Sequence, residues 1–208
     1  MTITIALTKG RPLVAGLEIL DKLGISPLED ISTSRKLIFD TNVSDIKLVV
    51  LRGVDVVTYV EHGIADMGMA GRDVILEHGE QGFYQPLDLK IGKCQMMVAA
   101  LKDEQTPPGR IKVATKFVNI AKRYYAELGV QADIIKLYGA MELAPVTGLA
   151  HRIVDIVETG NTLKANGLVT IAHIADISTR LIVNKTSMKI KNDKLDDLIT
   201  RLSEIVNA

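Results

Sequence analysis

Short apolar runs of strand length alternate along the chain with stretches whose apolar residues recur at helical spacing, and this alternation restricts it to an α/β fold. Residues 2–7 alternate like a strand. Leu13, Leu17, Leu20 and Leu23 then share one helix face until Gly24 ends the helix. Residues 47–51 and 64–70 predict further strands around a helix over 54–62. A long β segment is predicted over 90–101, and the string Gln105-Thr106-Pro107-Pro108-Gly109 reads as a loop. Beyond it come a strand at 111–114, a helix at 117–128, a strand at 133–137 and a helix near Glu142. Residues 169–183 predict a second long β segment, and 194–206 a closing amphipathic helix.

The two halves resemble each other. Thr8-Lys9, leading into a helix that ends Leu23-Gly24-Ile25, is echoed by Thr115-Lys116 and Leu128-Gly129-Val130, at offsets of 107 (115 − 8) and 105 (129 − 24). Leu51-Arg52-Gly53 then matches Leu137-Tyr138-Gly139, an offset of 86 (139 − 53). Ile64-Ala65-Asp66 with Gly71 matches Ile153-Val154-Asp155 with Gly160, an offset of 89 (160 − 71). The fall from 105 to 86 gives the first half about nineteen additional residues near 26–45, around Arg35, expected to form a hairpin. Two lobes follow, with ligands expected at the carboxyl ends of their strands, in a cleft between them.

A chain of 208 residues has room for this plan. Its 25 basic and 25 acidic side chains cancel, which argues against a nucleic-acid-coating protein. Cys94, the single cysteine, lies in an apolar run and reads as a packing residue, so neither a disulfide framework nor a thiolate metal cluster is expected. His62, His78, His151 and His173 lack metal-ligand spacing, and Met67, Met69, Met96 and Met97 read as core. The first residues lack signal-peptide character and no window is long and apolar enough to span a membrane, so a cytoplasmic protein without membrane association is expected.

One constellation points to chemistry. In Asp155-Ile156-Val157-Glu158-Thr159-Gly160-Asn161-Thr162-Leu163 an apolar strand runs into a turn rich in hydroxyls and then a helical-looking stretch. Glycine lets successive N–H groups converge, and two threonines and an asparagine add donors, which together would cradle a phosphate without the lysine of a P-loop. A capped turn between strand and helix explains the same residues equally well. Thr8-Lys9-Gly10-Arg11-Pro12 places two cations where a helix begins, although a solvated basic pair fits that spacing at least as readily.

Here the chain resembles a known family. Glu142, Gly148, Ala150, Ile153, Asp155, Ile156, Thr159, Gly160, Thr162 and Leu163 reproduce the spaced signature of ATP phosphoribosyltransferases, the first enzymes of histidine biosynthesis. The resemblance continues through Leu51-Arg52 and Asp55, Tyr59-Val60-Glu61, Ala65-Asp66-Met67-Gly68, Gly71 and Asp73, and the string from Leu163 to Leu168, so it covers nearly the whole chain. It implies an α/β protein of two similar lobes, each a mostly parallel sheet with flanking helices, in the plan of type II periplasmic binding proteins with a cleft between lobes. The first lobe would comprise 1–89 and 180–208 and the second 90–179, with no C-terminal regulatory domain. By the same resemblance, the second-lobe turn (Glu158, Thr159, Gly160, Asn161, Thr162) with Glu142, Asp155 and Lys9 would bind phosphoribosyl pyrophosphate (PRPP). Arg11, Arg52, Asp73 and Phe117 would hold ATP, the last by stacking on the adenine. Arg11 and Arg35 would stabilise the departing pyrophosphate. Phe117 stands where the family shows tyrosine, followed here by Val118 rather than proline; a stacking face survives, a phenolic hydroxyl does not.

The implied reaction joins N1 of the ATP adenine to C1 of the PRPP ribose and expels pyrophosphate. A neutral ring nitrogen needs no strong base, which suits a chain without an evident nucleophile–base pair. Magnesium would ride on substrate phosphates rather than on a protein metal site. The resemblance is to the short form, which acts as a homodimer within a larger hetero-oligomer, a hetero-octamer, with a regulatory subunit similar to histidyl-tRNA synthetase. Two other readings stay open at this point: a non-catalytic solute-binding module, and a phosphoribosyltransferase acting on a different base.

Overall fold

The computed structural model describes residues 1–105 and 108–208; of the predicted loop at 105–109, Thr106 and Pro107 lie outside the described residues. The chain divides into two compact units, Met1–Gly92 with Ser178–Ala208, and Lys93–Ile177. The junctions stand at 92/93 and 177/178, where the sequence suggested 89/90 and 179/180. Backbone bonds from Leu89 N–H to the Thr179 carbonyl and from Thr179 N–H to the Ile91 carbonyl keep both ends of the crossover in the first unit.

The first unit begins with β1 (Ile3–Thr8) and α1 (Arg11–Lys22), followed by β2 (Ile38–Asp40), β3 (Ile46–Leu51) and α2 (Gly53–Glu61). Next come β4 (Met67–Gly71), α3 (Arg72–His78) and β5 (Phe83–Asp88). The second unit comprises β6 (Cys94–Leu101), β7 (Ile111–Thr115), α4 (Val118–Glu127), β8 (Ala132–Lys136), α5 (Leu143–Val146), β9 (Arg152–Val157), α6 (Asn161–Ala165) and β10 (Leu168–Ile177). The chain then returns to the first unit through β11 (Thr179–Asn184), α7 (Lys185–Ile190) and α8 (Asn192–Asn207).

In the first unit the strand order is β2-β3-β1-β4-β11-β5. β1 is buried almost throughout, as expected of a parallel strand covered on both faces. Ile3, Ile5 and Leu7 point into one layer with Ile19 and Leu20 of α1 and Leu195, Leu198 and Leu202 of α8. Ala6 points the other way, into a layer built from Val56, Val57 and Val60 of α2. That period of two is what the alternating sequence of β1 encodes.

The second unit's sheet runs β10-β6-β9-β7-β8. Ala99, Ala114, Ile153, Leu163 and Leu168 pack together with Met141 and Ala144 beside α5. The first sheet is parallel only in its inner triplet β3-β1-β4, and the second only in β9-β7-β8, which ends at the edge strand β8; the strands outside those triplets join antiparallel. The expected mostly parallel sheets are therefore mixed. The long β segments cause this, because they return to the sheet without a crossover helix.

The internal repeat is present in the backbone. α1 and α4 end alike: Leu23 and Leu128 are followed by left-handed Gly24 and Gly129, whose N–H groups bond Asp21 and Ala126 carbonyls. Thr8 donates its hydroxyl to the Met69 carbonyl and Thr115 to that of Val154, bridging the equivalent pairs β1–β4 and β7–β9. The insertion is also where the sequence placed it. The segment between α1 and β3 exceeds that between α4 and β8 by nineteen residues, 23 against 4, and carries β2 antiparallel to β3.

Later in the repeat the sequence alignment slips. Pairing with the first strand sets Val50 against Ile135, an offset of 85 (135 − 50), and the threonine hydroxyls give 85 (154 − 69) for β4 and β9. The predicted 89 is thus four residues out. Asp66, the sequence counterpart of Asp155, lies just before β4, whereas Asp155 lies within β9; Asp66 is 5% exposed, accepting from Thr4 N–H and paired with Lys191 at 2.8 Å. Other differences are local. Strand β4 starts only at Met67, and the predicted β segment at 169–183 breaks at Ser178, whose carbonyl accepts the Arg72 N–H. β5, with Pro86 and mostly exposed residues, and the short helices α3 and α7 gave no periodic signal.

Candidate active site

The parallel strands of the second unit end on one edge, and the loops that follow them carry Lys116, Glu142 and the turn at 158–160. A concavity of ≈ 210 Å³ opens there. Seven of the eight residues assigned to PRPP line it: Glu142, Asp155, Glu158, Thr159, Gly160, Asn161 and Thr162. Lys9, the eighth, belongs to the first unit.

Local physics explains the convergence. On β9, Ile153, Asp155 and Val157 share one face, and Ala99 and Met97 of β6 stand opposite Ile153 and Asp155 to form the floor. Gly160 adopts φ 74°, ψ 3°, which turns the chain sharply into α6 at little cost for a residue without a side chain. Leu163, 6% exposed, anchors the turn in the core beside Ile153. The Asn166 side chain donates to the Thr162 carbonyl at 2.9 Å and closes the far end. The stretch after the turn is only five residues of helix, so a macrodipole adds little there. What the turn offers an anion is the hydroxyls of Thr159 and Thr162 and the first N–H groups of α6, which have no intrahelical acceptor.

Two residues depart from the sequence reading. Phe117, expected to present a stacking face, is 4% exposed, with its N–H bonded to Thr115 Oγ1 at 2.9 Å and the Lys116 ammonium 4.7 Å from its ring centroid. The ring is buried and carries the lysine's cation on its face. Lys116 entered the sequence reading only as the repeat partner of Lys9. Its Nζ lies 3.8 Å from Asp155 Oδ1, beside the concavity. Its place directly after the strand-bridging Thr115 is visible only in the folded chain.

In the first unit, Lys9, Arg11, Arg52 and Asp73 gather at the carboxyl edge of β1, β3 and β4. Lys9 N–H bonds the Leu51 carbonyl at 2.7 Å, and α2 starts against Thr8, so these strand ends are tied together. Lys9, Arg11 and Arg52 are exposed; Asp73 is half-buried in the first turn of α3, its carboxylate folded over Gly71, where an added Cβ would meet Oδ1 at 2.3 Å. Arg35 is exposed on the inserted loop, which Lys36–Glu29 and Asp30–Ser32 contacts close. The Leu37 carbonyl accepts the Val50 N–H, which brings this loop to the same edge, at the end of β3. Among the described residues no three His, Cys, Asp or Glu side chains gather as a metal site, and no helix is long and apolar enough to cross a membrane.

Residues 52–204 match the family model described as ATP phosphoribosyltransferase. A curated ATP phosphoribosyltransferase of Saccharophagus degradans is 62% identical over 205 residues, spanning 99% of this chain and 96% of the relative. A chain of the ATP phosphoribosyl transferase (HisG:HisZ) complex from Thermotoga maritima superposes with a TM-score of 0.88 at 35% identity, covering 99% of both chains. The periplasmic aliphatic sulphonate binding protein SsuA from Escherichia coli superposes with a TM-score of 0.60 at 12% identity over 99% of this chain and 72% of its own. That last likeness is one of fold.

Proposed function

This chain belongs to the ATP phosphoribosyltransferase family, and from that premise we propose that it transfers the phosphoribosyl group of PRPP to N1 of the ATP adenine, the opening step of histidine biosynthesis. The C1–N1 bond forms as the C1–oxygen bond to pyrophosphate breaks, and the bonding pair leaves on the pyrophosphate. The observation that carries this reading is the convergence of Glu142, Asp155 and the Glu158-Thr159-Gly160-Asn161-Thr162 turn on one concavity. That concavity suits a sugar phosphate, with amide and hydroxyl donors for the 5′-phosphate and carboxylates for the ribose hydroxyls.

Lys9, Arg11, Arg35 and Arg52, exposed at one edge of the first unit, suit polyphosphate and diphosphate oxygens. Asp73 suits the exocyclic amino group of adenine as an acceptor. Catalysis then rests on orienting two anionic substrates and on stabilising charge that appears at the leaving group, rather than on a protein base. Carboxylate oxygens, such as those of Glu142, Asp155 and Glu158, are the right donors for magnesium, and on this proposal the ion is held mainly by substrate oxygens and water. When bound, that ion would neutralise diphosphate charge. The structural match to a chain of the HisG:HisZ complex supports a HisZ-type regulatory partner. That partner's likeness to histidyl-tRNA synthetase, and a homodimer of this chain within a hetero-octamer, are part of the proposal and rest on the family resemblance alone.

The test is an absorbance assay of phosphoribosyl-ATP formation with purified protein, ATP, PRPP and magnesium, with pyrophosphatase present, alone and with a co-expressed regulatory subunit. Turnover with ATP supports the proposal. Turnover with another base, or PRPP binding without turnover under either condition, refutes it. Thr159→Ala and Thr162→Ala should weaken PRPP in calorimetry more than ATP; unchanged PRPP affinity would remove the turn from the site.

A further inference from the structure

The concavity has a charge problem that points beyond the residues already assigned. Its lining carries three carboxylates, Glu142, Asp155 and Glu158, and no lysine or arginine. A ligand with a phosphate and a diphosphate would meet those carboxylates in a partly desolvated pocket, where like charges repel strongly.

A cation, Lys116, stands beside this lining. Its Nζ is 3.8 Å from Asp155 Oδ1, beyond the 2.7–3.2 Å of a direct hydrogen bond, and 4.7 Å from the Phe117 ring centroid. The ammonium is thus poised between carboxylate and ring, with 40% of the side chain exposed. Its base is fixed. Thr115 Oγ1 donates to the Val154 carbonyl at 2.6 Å and accepts the Phe117 N–H at 2.9 Å, locking the end of β7 onto β9 one residue before Asp155. Phe117, buried, is a rigid platform for a cation.

We infer that Lys116 is a positioning residue of the PRPP site: it holds the Asp155 carboxylate in place and offsets its charge, so that Asp155 can accept from ribose hydroxyls without repelling the phosphates. The burial of Phe117 has the same explanation, since the ring supports the lysine rather than the adenine. This inference rests on the PRPP reading of the concavity.

The experiment is calorimetric titration of magnesium-PRPP and, separately, of ATP into wild type, Lys116→Met, Lys116→Gln, Lys116→Arg, Asp155→Asn and the Lys116→Met/Asp155→Asn double variant. Both neutral variants should bind PRPP roughly tenfold or more weakly, the scale of a charged hydrogen-bonding group, with ATP affinity within about twofold. Lys116→Arg should recover most of the loss. The double variant should lose less than the two single losses combined, because each group acts through the other. PRPP affinity within about twofold of wild type in both neutral variants, with Thr162→Ala clearly weakened, overturns the role of Lys116 alone. Wild type that fails to bind PRPP, or binds it indifferently to Thr162→Ala, overturns the reading of the concavity and this inference with it.

Discussion

Single residues divide here into those that a motif exposes and those that only packing reveals. Asp155 and the 158–162 turn were legible because glycine, hydroxyls and carboxylates recur at a fixed spacing; Lys116 was not, because nothing local distinguishes a lysine beside a buried ring from a solvated one. Arg35 is the clearest residue-scale prediction. It is exposed, and its loop is held by other side chains, so Arg35→Ala should leave the melting temperature unchanged. If it faces the departing pyrophosphate, the variant loses about 3–4 kcal/mol of transition-state stabilisation, a kcat a few hundredfold lower with KM changed much less. Steady-state kinetics decides, and near-normal turnover removes Arg35 from the mechanism.

Tyr125 carries a different residue-scale prediction. It is 3% exposed, its hydroxyl has no hydrogen-bond partner among the described residues, and burial pushes its pKa from 10.0 up to about 12, against the opposing pull of Arg152. The folded tyrosine keeps its proton longer than the unfolded one. The stability tied to this group is therefore intact below pH ~10 and lost as pH rises towards about 12. Tyr125→Phe should be neutral or slightly stabilising at pH 7, since the hydroxyl is desolvated without a partner. Between pH ~10 and ~12 its advantage over wild type should grow by on the order of 2 kcal/mol in denaturant titrations. An advantage that stays constant over that window would show the hydroxyl to be solvated.

At the scale of elements, legibility followed periodicity and length. β1, α1, α2, β7, α4 and α8 were readable because each buries a regular stripe and several carry glycine stops. β5, α3 and α7 were not, because a strand with proline and helices of six or seven residues leave too few repeats to register. What holds α7 is one side chain. Asn184, 4% exposed, accepts the N–H groups of Thr186 and Ser187 and donates to the carbonyls of Val60 and Glu61, so it caps α7 and the end of α2 together. Asn184→Ala should cost about 2–3 kcal/mol, more than an ordinary cap, because buried carbonyls lose their donor as well. Asn184→Asp, which keeps the acceptor but loses the donor, should recover part of that in chemical denaturation. The repeat teaches the same lesson. The helix caps align in sequence because glycine marks them, whereas the β4–β9 match is four residues out because Ile-Ala-Asp and Ile-Val-Asp look alike without sharing a place in the sheet.

At the scale of the whole molecule, the two units repeat one β-α plan with different additions at equivalent strand ends. The first unit gained the nineteen-residue insertion bearing Arg35; the second gained the turn at 158–160, for which the direct passage of β4 into α3 at Gly71 has no counterpart. Basic loops thus accumulated on one unit and a hydroxyl-rich turn with carboxylates on the other. Under the proposed function this divides the substrates: sugar phosphate to the second unit, adenine nucleotide and the departing diphosphate to the first. Hydrogen–deuterium exchange of the intact protein tests the division directly. Magnesium-PRPP alone should slow exchange most at 157–163, by tenfold or more if several amides take on phosphate bonds, while ATP alone should slow it at 9–13, 52–55 and 71–75 and leave 157–163 within about twofold. Amides that bond a ligand exchange only after it dissociates, so protection maps contact more strictly than affinity does. ATP protection centred on the second unit would reverse the division even if the enzyme proved active, because activity reports that both substrates bind and not which unit holds each.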